Sequence, residues 1–249
     1  MSDQSTLSCE FQAGVPRWKR ALDICLICLS LPLTGPVMVF MACLIKIVSP
    51  GSVFYTQERV GHNGKTFRLF KFRTMRADSA ATPHQDYLRC LVNSNAPMAK
   101  LDEKDSRVIP CGRVIRASGL DELAQLINVA LGEMSLVGPR PCTPYEYEHY
   151  QEWQKERFSA LPGLTGLWQV SGKNNTTFVE MIDLDIKYAR HQSLFRDCWI
   201  LISTPAVVLG QVSQLLRSCL GGTVLPPQWV SRSPHWGVVN LEQFVATFG

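Results

Sequence analysis

The sequence predicts an α+β protein: a proline-broken apolar membrane helix at the N-terminus, then a small domain of amphipathic helices and short strands. Three observations carry this. From Ala21 to Val48 the chain is almost uninterruptedly apolar, with no charge between Asp23 and Lys46. That span exceeds the roughly 18 residues that mark a membrane helix. Short strand-like runs follow, separated by turns rich in Gly and Pro, and helical periodicity returns only afterwards.

Pro32 and Pro36, with Gly35 between them, sit in the middle of the apolar run. Each proline removes a backbone donor and crowds the preceding turn, so a sharp bend is expected there. Ser30 can return a hydroxyl to a carbonyl freed by the break. The run either crosses the bilayer as a kinked helix or forms a helix–break–helix hairpin that enters and leaves on one side. Arg17, Lys19 and Arg20 precede it; Lys46, Arg59, Lys65, Arg68, Lys71, Arg73 and Arg76 follow. Positive charge on both flanks favours the hairpin, with both ends cytoplasmic. The run is too long for a cleavable signal peptide and lacks its cleavage site.

The expected organisation is a loose tail over 1–16, the re-entrant helix over 17–48, a cytoplasmic domain over 49–209 and an extension over 210–249 with no assigned role. Ser49-Pro50-Gly51-Ser52 is a turn, and Val53-Phe54-Tyr55 opens a strand. Gly61-His62-Asn63-Gly64 is a second turn, after which Lys65–Phe72 alternates as a hairpin partner would. Residues 77–104 have the character of a polar surface insertion. Helical pattern returns around Asp121–Val129 and Tyr145–Phe158.

Of the 249 residues, 18% are charged, and the net charge is +4. An ordinary soluble domain carries about 25% charged residues. The balance suits anionic phosphates or an anionic leaflet. Without a basic run or zinc-finger spacing, nucleic acid is excluded as a partner. The nine scattered cysteines are odd in number, against a secreted disulfide framework. Cys25 and Cys28 lie inside the apolar run, where thiols behave as small hydrophobes.

Asp121 and Glu122 open a predicted helix, and Ser118-Gly119-Leu120-Asp121 fits a capping box. On the plain alternative, Ser118 caps and the acids merely complement the helix dipole. Free N–H groups at a helix start bind phosphate, and Arg113 and Arg116 lie just upstream. Anion-binding groups beside paired carboxylates suggest a place where Mg²⁺ bridges acid and diphosphate. Adjacent acids diverge by about 100° on a helix, so they cannot flank a glycosidic bond as a hydrolase pair does.

In Gly138-Pro139-Arg140-Pro141 the prolines restrict the backbone around an arginine that can grip phosphate bidentately. Its alternative is a solvated turn. Lys71 and Arg73 can meet lipid headgroups or a diphosphate, or simply line a solvated strand. Ser171–Thr177 is a polar loop whose donors suit a nucleotide or a sugar.

The strings QERVGHNGKTFRLFKFRTM (57–75), SGLDELAQLINVALGEMSLVGPRP (118–141) and LPGLTGLWQVSG (161–172) closely resemble the bacterial sugar transferase family. These are the monotopic phosphoglycosyl transferases that start glycan assembly on polyprenyl phosphate. The resemblance runs from about Trp18 to Leu209, and with only twenty residues ahead of the apolar run the chain is similar to the minimal type. It implies that the segment around Ser30–Pro36 is the re-entrant bend. It implies further that Asp121 is the nucleophile, with Glu122 as its partner in metal and proton handling, and that Mg²⁺ is the cofactor held by these two acids. Lys71, Arg73, Arg116, Arg140, Pro141 and Asp185 are the implied substrate-binding residues.

The implied reaction moves a sugar-1-phosphate, galactose or glucose, from a UDP-sugar to undecaprenyl phosphate through a phosphosugar-aspartate, releasing UMP. It would be the first membrane step of exopolysaccharide or other surface glycan synthesis, at the inner membrane with the catalytic domain facing the cytoplasm. The implied partners are the UDP-sugar, undecaprenyl phosphate and membrane lipid, with a homo-oligomer left open. Two departures stand out: Ala124 replaces a proline usual in the family, and Asp105-Ser106-Arg107 matches an Asp-Pro-Arg only loosely. The rivals are a non-catalytic membrane adaptor that binds nucleotide sugar and a soluble metal-dependent phosphohydrolase.

Overall fold

The computed structural model describes residues 14–75, 108–172 and 176–219. Residues 1–13 of the expected tail, Arg76, the insertion over 77–104, the 105–107 triplet, residues 173–175 of the polar loop and the chain beyond 219 lie outside the described residues. Helix and strand are mixed, as the sequence predicts.

Helix α1 spans Arg17–Val48 and contains both prolines. The expected break does not interrupt it: the helical element is single. Pro32 and Pro36 deprive the carbonyls of Cys28 and Pro32 of their donors. Ser30 Oγ instead donates to Ile27 O (3.0 Å) and Thr34 Oγ1 to Ser30 O (3.1 Å). The hydroxyls therefore reinforce neighbouring carbonyls rather than those the prolines freed. At a rise of 1.5 Å per residue the helix is roughly 48 Å long, against a hydrocarbon core of about 30 Å. It is long and apolar enough to cross a membrane, and Leu29 and Ile47 are 79% and 82% exposed. Its buried residues are Lys19 and Asp23 near one end and Met41 and Ile45 near the other.

Strand β1 (Phe54–Val60) pairs antiparallel with β2 (Thr66–Phe72), from Phe54 opposite Phe72 to Val60 opposite Thr66. The strand begun by Val53-Phe54-Tyr55 thus runs further than its apolar start. The Gly61–Gly64 turn closes on a 3₁₀ turn with Asn63 and Gly64 in the left-handed region. Helix α2 (Gly112–Ser118) ends at Gly119, whose φ of 72° a side chain would resist. A 3₁₀ segment (Leu120–Gln125) leads into α3 (Leu126–Leu131).

Two short strands, β3 (Ser135–Val137) and β4 (Gly163–Thr165), pair in parallel. Between them lie α4 (Pro144–Glu148), capped by a Thr143/Glu146 box, and a 3₁₀ segment over Glu152–Ser159. The single helical pattern expected over Tyr145–Phe158 is therefore broken at His149–Gln151. Then come α5 (Leu167–Val170), α6 (Phe178–Arg190) and α7 (Leu194–Cys219). Thr177 caps α6, and Thr176 Oγ1 accepts from Trp168 Nε1 at 2.7 Å. The described end of the Ser171–Thr177 loop is thus occupied structurally. The compact body runs to Val212, within α7, so the boundary expected at residue 209 falls inside a helix.

Three apolar clusters fix this arrangement. One joins Leu69, Val129, Met134, Val137, Tyr188 and Ile200 beneath the sheet pieces. A second gathers Tyr150, Phe158, Trp168, Phe178 and Ile182 around α6. The third seats Met41 and Ile45 of α1 against Phe72, Ile109, Ile115 and Ala124. Ala124 is fully buried there, which explains why a small helix former serves at the position where the family usually has proline.

Candidate active site

The dyad stands on the 3₁₀ segment that lies against β2. Asn128 sets that alignment. Fully buried, it accepts from Phe70 N (3.0 Å) and donates to Arg68 O (2.7 Å), pairing with β2 as a neighbouring strand would. Lys71, the next residue along, then reaches the dyad: its ammonium donates to Glu122 Oε1 at 3.0 Å.

The capping box expected at Ser118 is not formed. Ser118 is the last residue of α2, and its hydroxyl donates back to Val114 O or Ile115 O (2.8 and 3.0 Å). The segment after it starts from Gly119 in a left-handed conformation, with no side-chain cap. The signature failed because the serine belongs to the helix before the acids, not to the start of the one that carries them. Glu122 N–H donates to Gly119 O at 3.0 Å, so one donor expected for phosphate closes a turn instead.

Asp121 is 8% exposed. Burial raises its pKa from 3.8 to about 6; the Lys71 ammonium opposes the rise, the Glu122 charge adds to it, and Arg116 opposes it. At neutral pH the carboxylate is therefore ionised, poorly solvated and edged by two cations. A carboxylate in that state is a better nucleophile than a hydrated one and still a good leaving group. Among the described residues no group of three or more His, Cys, Asp and Glu side chains forms. Mg²⁺ asks little of a protein, however: one or two carboxylates, with substrate phosphates and water completing its shell. Asp121 and half-exposed Glu122 fit that requirement.

Arg140, Pro141 and Asp185 belong to a second cluster. Arg140 is exposed, on the loop after β3. That loop is seated by close backbone contact: Gly138 N–H donates to Thr165 O and Gly163 N–H to Pro139 O, both at 2.8 Å. A Cβ on Gly138, Gly163 or Gly166 would fall under 3.0 Å from backbone of the opposing segment. The G-P-R-P and L-P-G-L-T-G motifs are thus two halves of one interlock. Pro141 is buried, and its carbonyl accepts from Arg59 Nη1 at 3.4 Å.

Asp185 is fully buried on α6 and ion-paired with Arg157. Burial raises its pKa to about 6, with Arg157 drawing it down, so the pair is ionic at neutral pH. Arg157 also donates to Tyr150 Oη (2.9 Å) and Arg140 O (2.8 Å). Arg73 is buried too, donating to Ser49 O at 2.6 Å beneath Gly51, so it fastens the turn after α1 to the end of β2.

The structure therefore brings Lys71 and Arg116 to the dyad, places Arg140, Pro141 and Asp185 in the second cluster, and turns Arg73 to the α1–β1 turn. Sequence reasoning missed Arg157. It sits in the charged run Gln154-Lys155-Glu156-Arg157, which has the pattern of a solvated face.

The profile of the bacterial sugar transferase family matches residues 15–211. The chain is 43% identical over 194 residues to the galactosyl transferase CpsE of Streptococcus agalactiae, covering 77% of this chain and 42% of that protein. It is 39% identical over 201 residues to the exopolysaccharide production protein ExoY of Rhizobium meliloti, covering 78% and 87%. It is also similar, at 38% identity over 199 residues, to the undecaprenyl-phosphate galactose phosphotransferase of Salmonella typhimurium, covering 77% and 40%. The chain thus spans most of ExoY but less than half of the other two. With the dyad, the arginine loop and a match across nearly the whole compact body, the chain is an enzyme of the bacterial sugar transferase family.

Proposed function

We propose that the chain is a phosphoglycosyl transferase that moves galactose- or glucose-1-phosphate from a UDP-sugar to undecaprenyl phosphate. The observation that carries this reading is Asp121: a buried carboxylate beside Glu122, Lys71 and Arg116, on a chain similar to enzymes named for this chemistry. An Asp121 oxygen attacks the phosphorus that bears the sugar. The bond from that phosphorus to the oxygen bridging to the nucleotide breaks, and UMP leaves with the electron pair. An oxygen of undecaprenyl phosphate then attacks the same phosphorus, and Asp121 leaves as carboxylate. Lys71 and Arg116 offset the charge that accumulates, and Lys71 holds Glu122 in place. Bound Mg²⁺ would neutralise the donor diphosphate, held by Asp121 and Glu122. Arg140 supplies a planar fork for phosphate oxygens.

The membrane reading is re-entrant, at the cytoplasmic face of the inner membrane. Its support is that both ends of α1 pack on one body. Lys19 donates to Asp197 (2.6 Å) and Tyr188 (2.8 Å), and Asp23 accepts from Ser135 Oγ and Leu136 N, both at 3.0 Å. At the other end Met41 and Ile45 lie in the cluster of Phe72 and Ile115. A folded body occupies one side of a bilayer, so with both ends of α1 held to it, a bend at Pro32 and Pro36, where the helix lacks two of its hydrogen bonds, would let the exposed apolar middle dip in and return.

The test is wild-type enzyme given UDP-galactose or UDP-glucose with Mg²⁺ and no acceptor. One UMP per active site should appear as a burst, with a hexose-phosphate mass on the peptide containing Asp121. An adduct found only elsewhere, or UMP release without an adduct, sinks the covalent mechanism. A non-catalytic adaptor would give no transfer at all.

A further inference from the structure

We infer that Arg157 is a positioning residue for the donor phosphates, acting through Arg140. The inference deepens the proposed function and rests on its reading of Arg140 as a phosphate ligand. Arg157 is 1% exposed and reaches no solvent, so it is not itself a binding group. Its guanidinium is shared between three acceptors on three parts of the chain. One is the Asp185 carboxylate on α6, the second Tyr150 Oη (2.9 Å), and the third the backbone carbonyl of Arg140 (2.8 Å).

The last contact gives the cluster its meaning. Arg140 sits between two prolines, so few backbone torsions are open to it. On its N-terminal side the Gly138/Gly163/Gly166 interlock leaves no room to shift. On its C-terminal side Arg59 holds Pro141 O, and Val60 N–H donates to Cys142 O at 2.9 Å. The Arg140 carbonyl lies between these two anchors, and a buried cation holds it. A buried charge pair is costly to assemble, and a hydrophobic replacement of the same volume often does as well for stability. What a hydrophobic replacement cannot do is donate to a carbonyl. An exposed arginine whose own backbone is pinned loses less freedom when it grips a phosphate, and binds it more tightly for that reason.

Four proteins test this in detergent or nanodiscs: wild type, Arg140→Ala, Arg157→Lys and the double variant. Lysine keeps the charge and the Asp185 partner but loses the fork that also reaches Arg140 O. The probe is UDP with Mg²⁺, measured by titration calorimetry, alongside the donor KM and kcat for transfer. Arg157→Lys should weaken UDP binding roughly tenfold, a coupling of the size found within one hydrogen-bond network. The loss should fall on donor KM more than on kcat. In the Arg140→Ala background the same substitution should cost less than about twofold, because its route to the ligand is already gone. An equal loss in both backgrounds would mean general structural damage and overturn the assignment. So would unchanged UDP binding in Arg157→Lys or in Arg140→Ala. If Arg157→Lys does not fold, Tyr150→Phe removes one partner of the guanidinium and leaves the ion pair; it should show the same dependence on Arg140 with a smaller loss, and independence from Arg140 would overturn the idea. Coupled UDP binding in a protein that transfers no sugar phosphate would sink the proposed reaction and leave the Arg157 assignment standing.

Discussion

Asp121 and Asp185 are both buried aspartates whose pKa burial lifts to about 6, yet their surroundings give them opposite uses. Asp185 is closed in completely and its charge is answered by Arg157, itself sealed from water. Asp121 lies beside a half-exposed rim, where Lys71 is already engaged by Glu122. Burial and a shifted pKa therefore do not identify a catalytic group. What separates the two is whether the compensating charge is spent inside the fold or left where a ligand can meet it. One carboxylate holds a structure; the other is the one to which we assign the reaction.

The largest effect should come from removing the reactive charge. Asp121→Asn should lower transfer by on the order of 10⁴-fold or more, abolish the UMP burst, and leave the melting temperature equal or higher. The sign follows from linkage. A folded pKa above the unfolded one means that stability is lost as pH rises through about 6, so an ionised Asp121 costs the fold something at neutral pH. A clear loss of stability in Asp121→Asn would break the contrast with Asp185.

Asp185→Asn should do the reverse. It strands Arg157 in the interior at a cost of about 3–5 kcal/mol, read as a lower midpoint in thermal or denaturant unfolding. A melting temperature like that of wild type would show that the pair is not what holds α6 to the arginine loop.

A smaller loss is expected for Asn128→Ala. It leaves Arg68 O and Phe70 N–H unpaired against α3, costing about 1–3 kcal/mol, and frees Lys71 from its alignment with Glu122. Transfer should fall by more than stability alone explains when both are measured at a temperature where the variant is folded.

The finest test is pH. In the proposed mechanism Asp121 must be ionised to attack, so kcat/KM, which reports the free enzyme, should be lost as pH falls through about 6, not through the ordinary carboxylate value of 3.8. Lys71 draws that pKa down, so Lys71→Met should move the acid limb of kcat/KM upward. A limb that stays in place would put Lys71 outside the electrostatics of Asp121.

The sequence by itself determined the apolar run, the β1–β2 hairpin with its turn, the adjacency of Asp121 and Glu122, and the proline-bound Arg140. These are features of composition, of period two, or of immediate neighbours, and they need no distant partner to be specified. Only the tertiary structure decided how the cations were divided. Lys71 went to Glu122, 51 positions away, while Arg73, two residues along the same strand, was committed to the Ser49 carbonyl. Arg157 lay in a run of charges with nothing local to set it apart, and it became the buried link between Asp185, 28 residues on, and Arg140, 17 residues back. Ser118 carried a correct capping signature and did not cap, because Gly119 ended its helix first. A charged side chain looks the same in sequence whether it faces water or a carbonyl. Which one it meets depends on how distant segments pack, and desolvation makes that choice strong once they do.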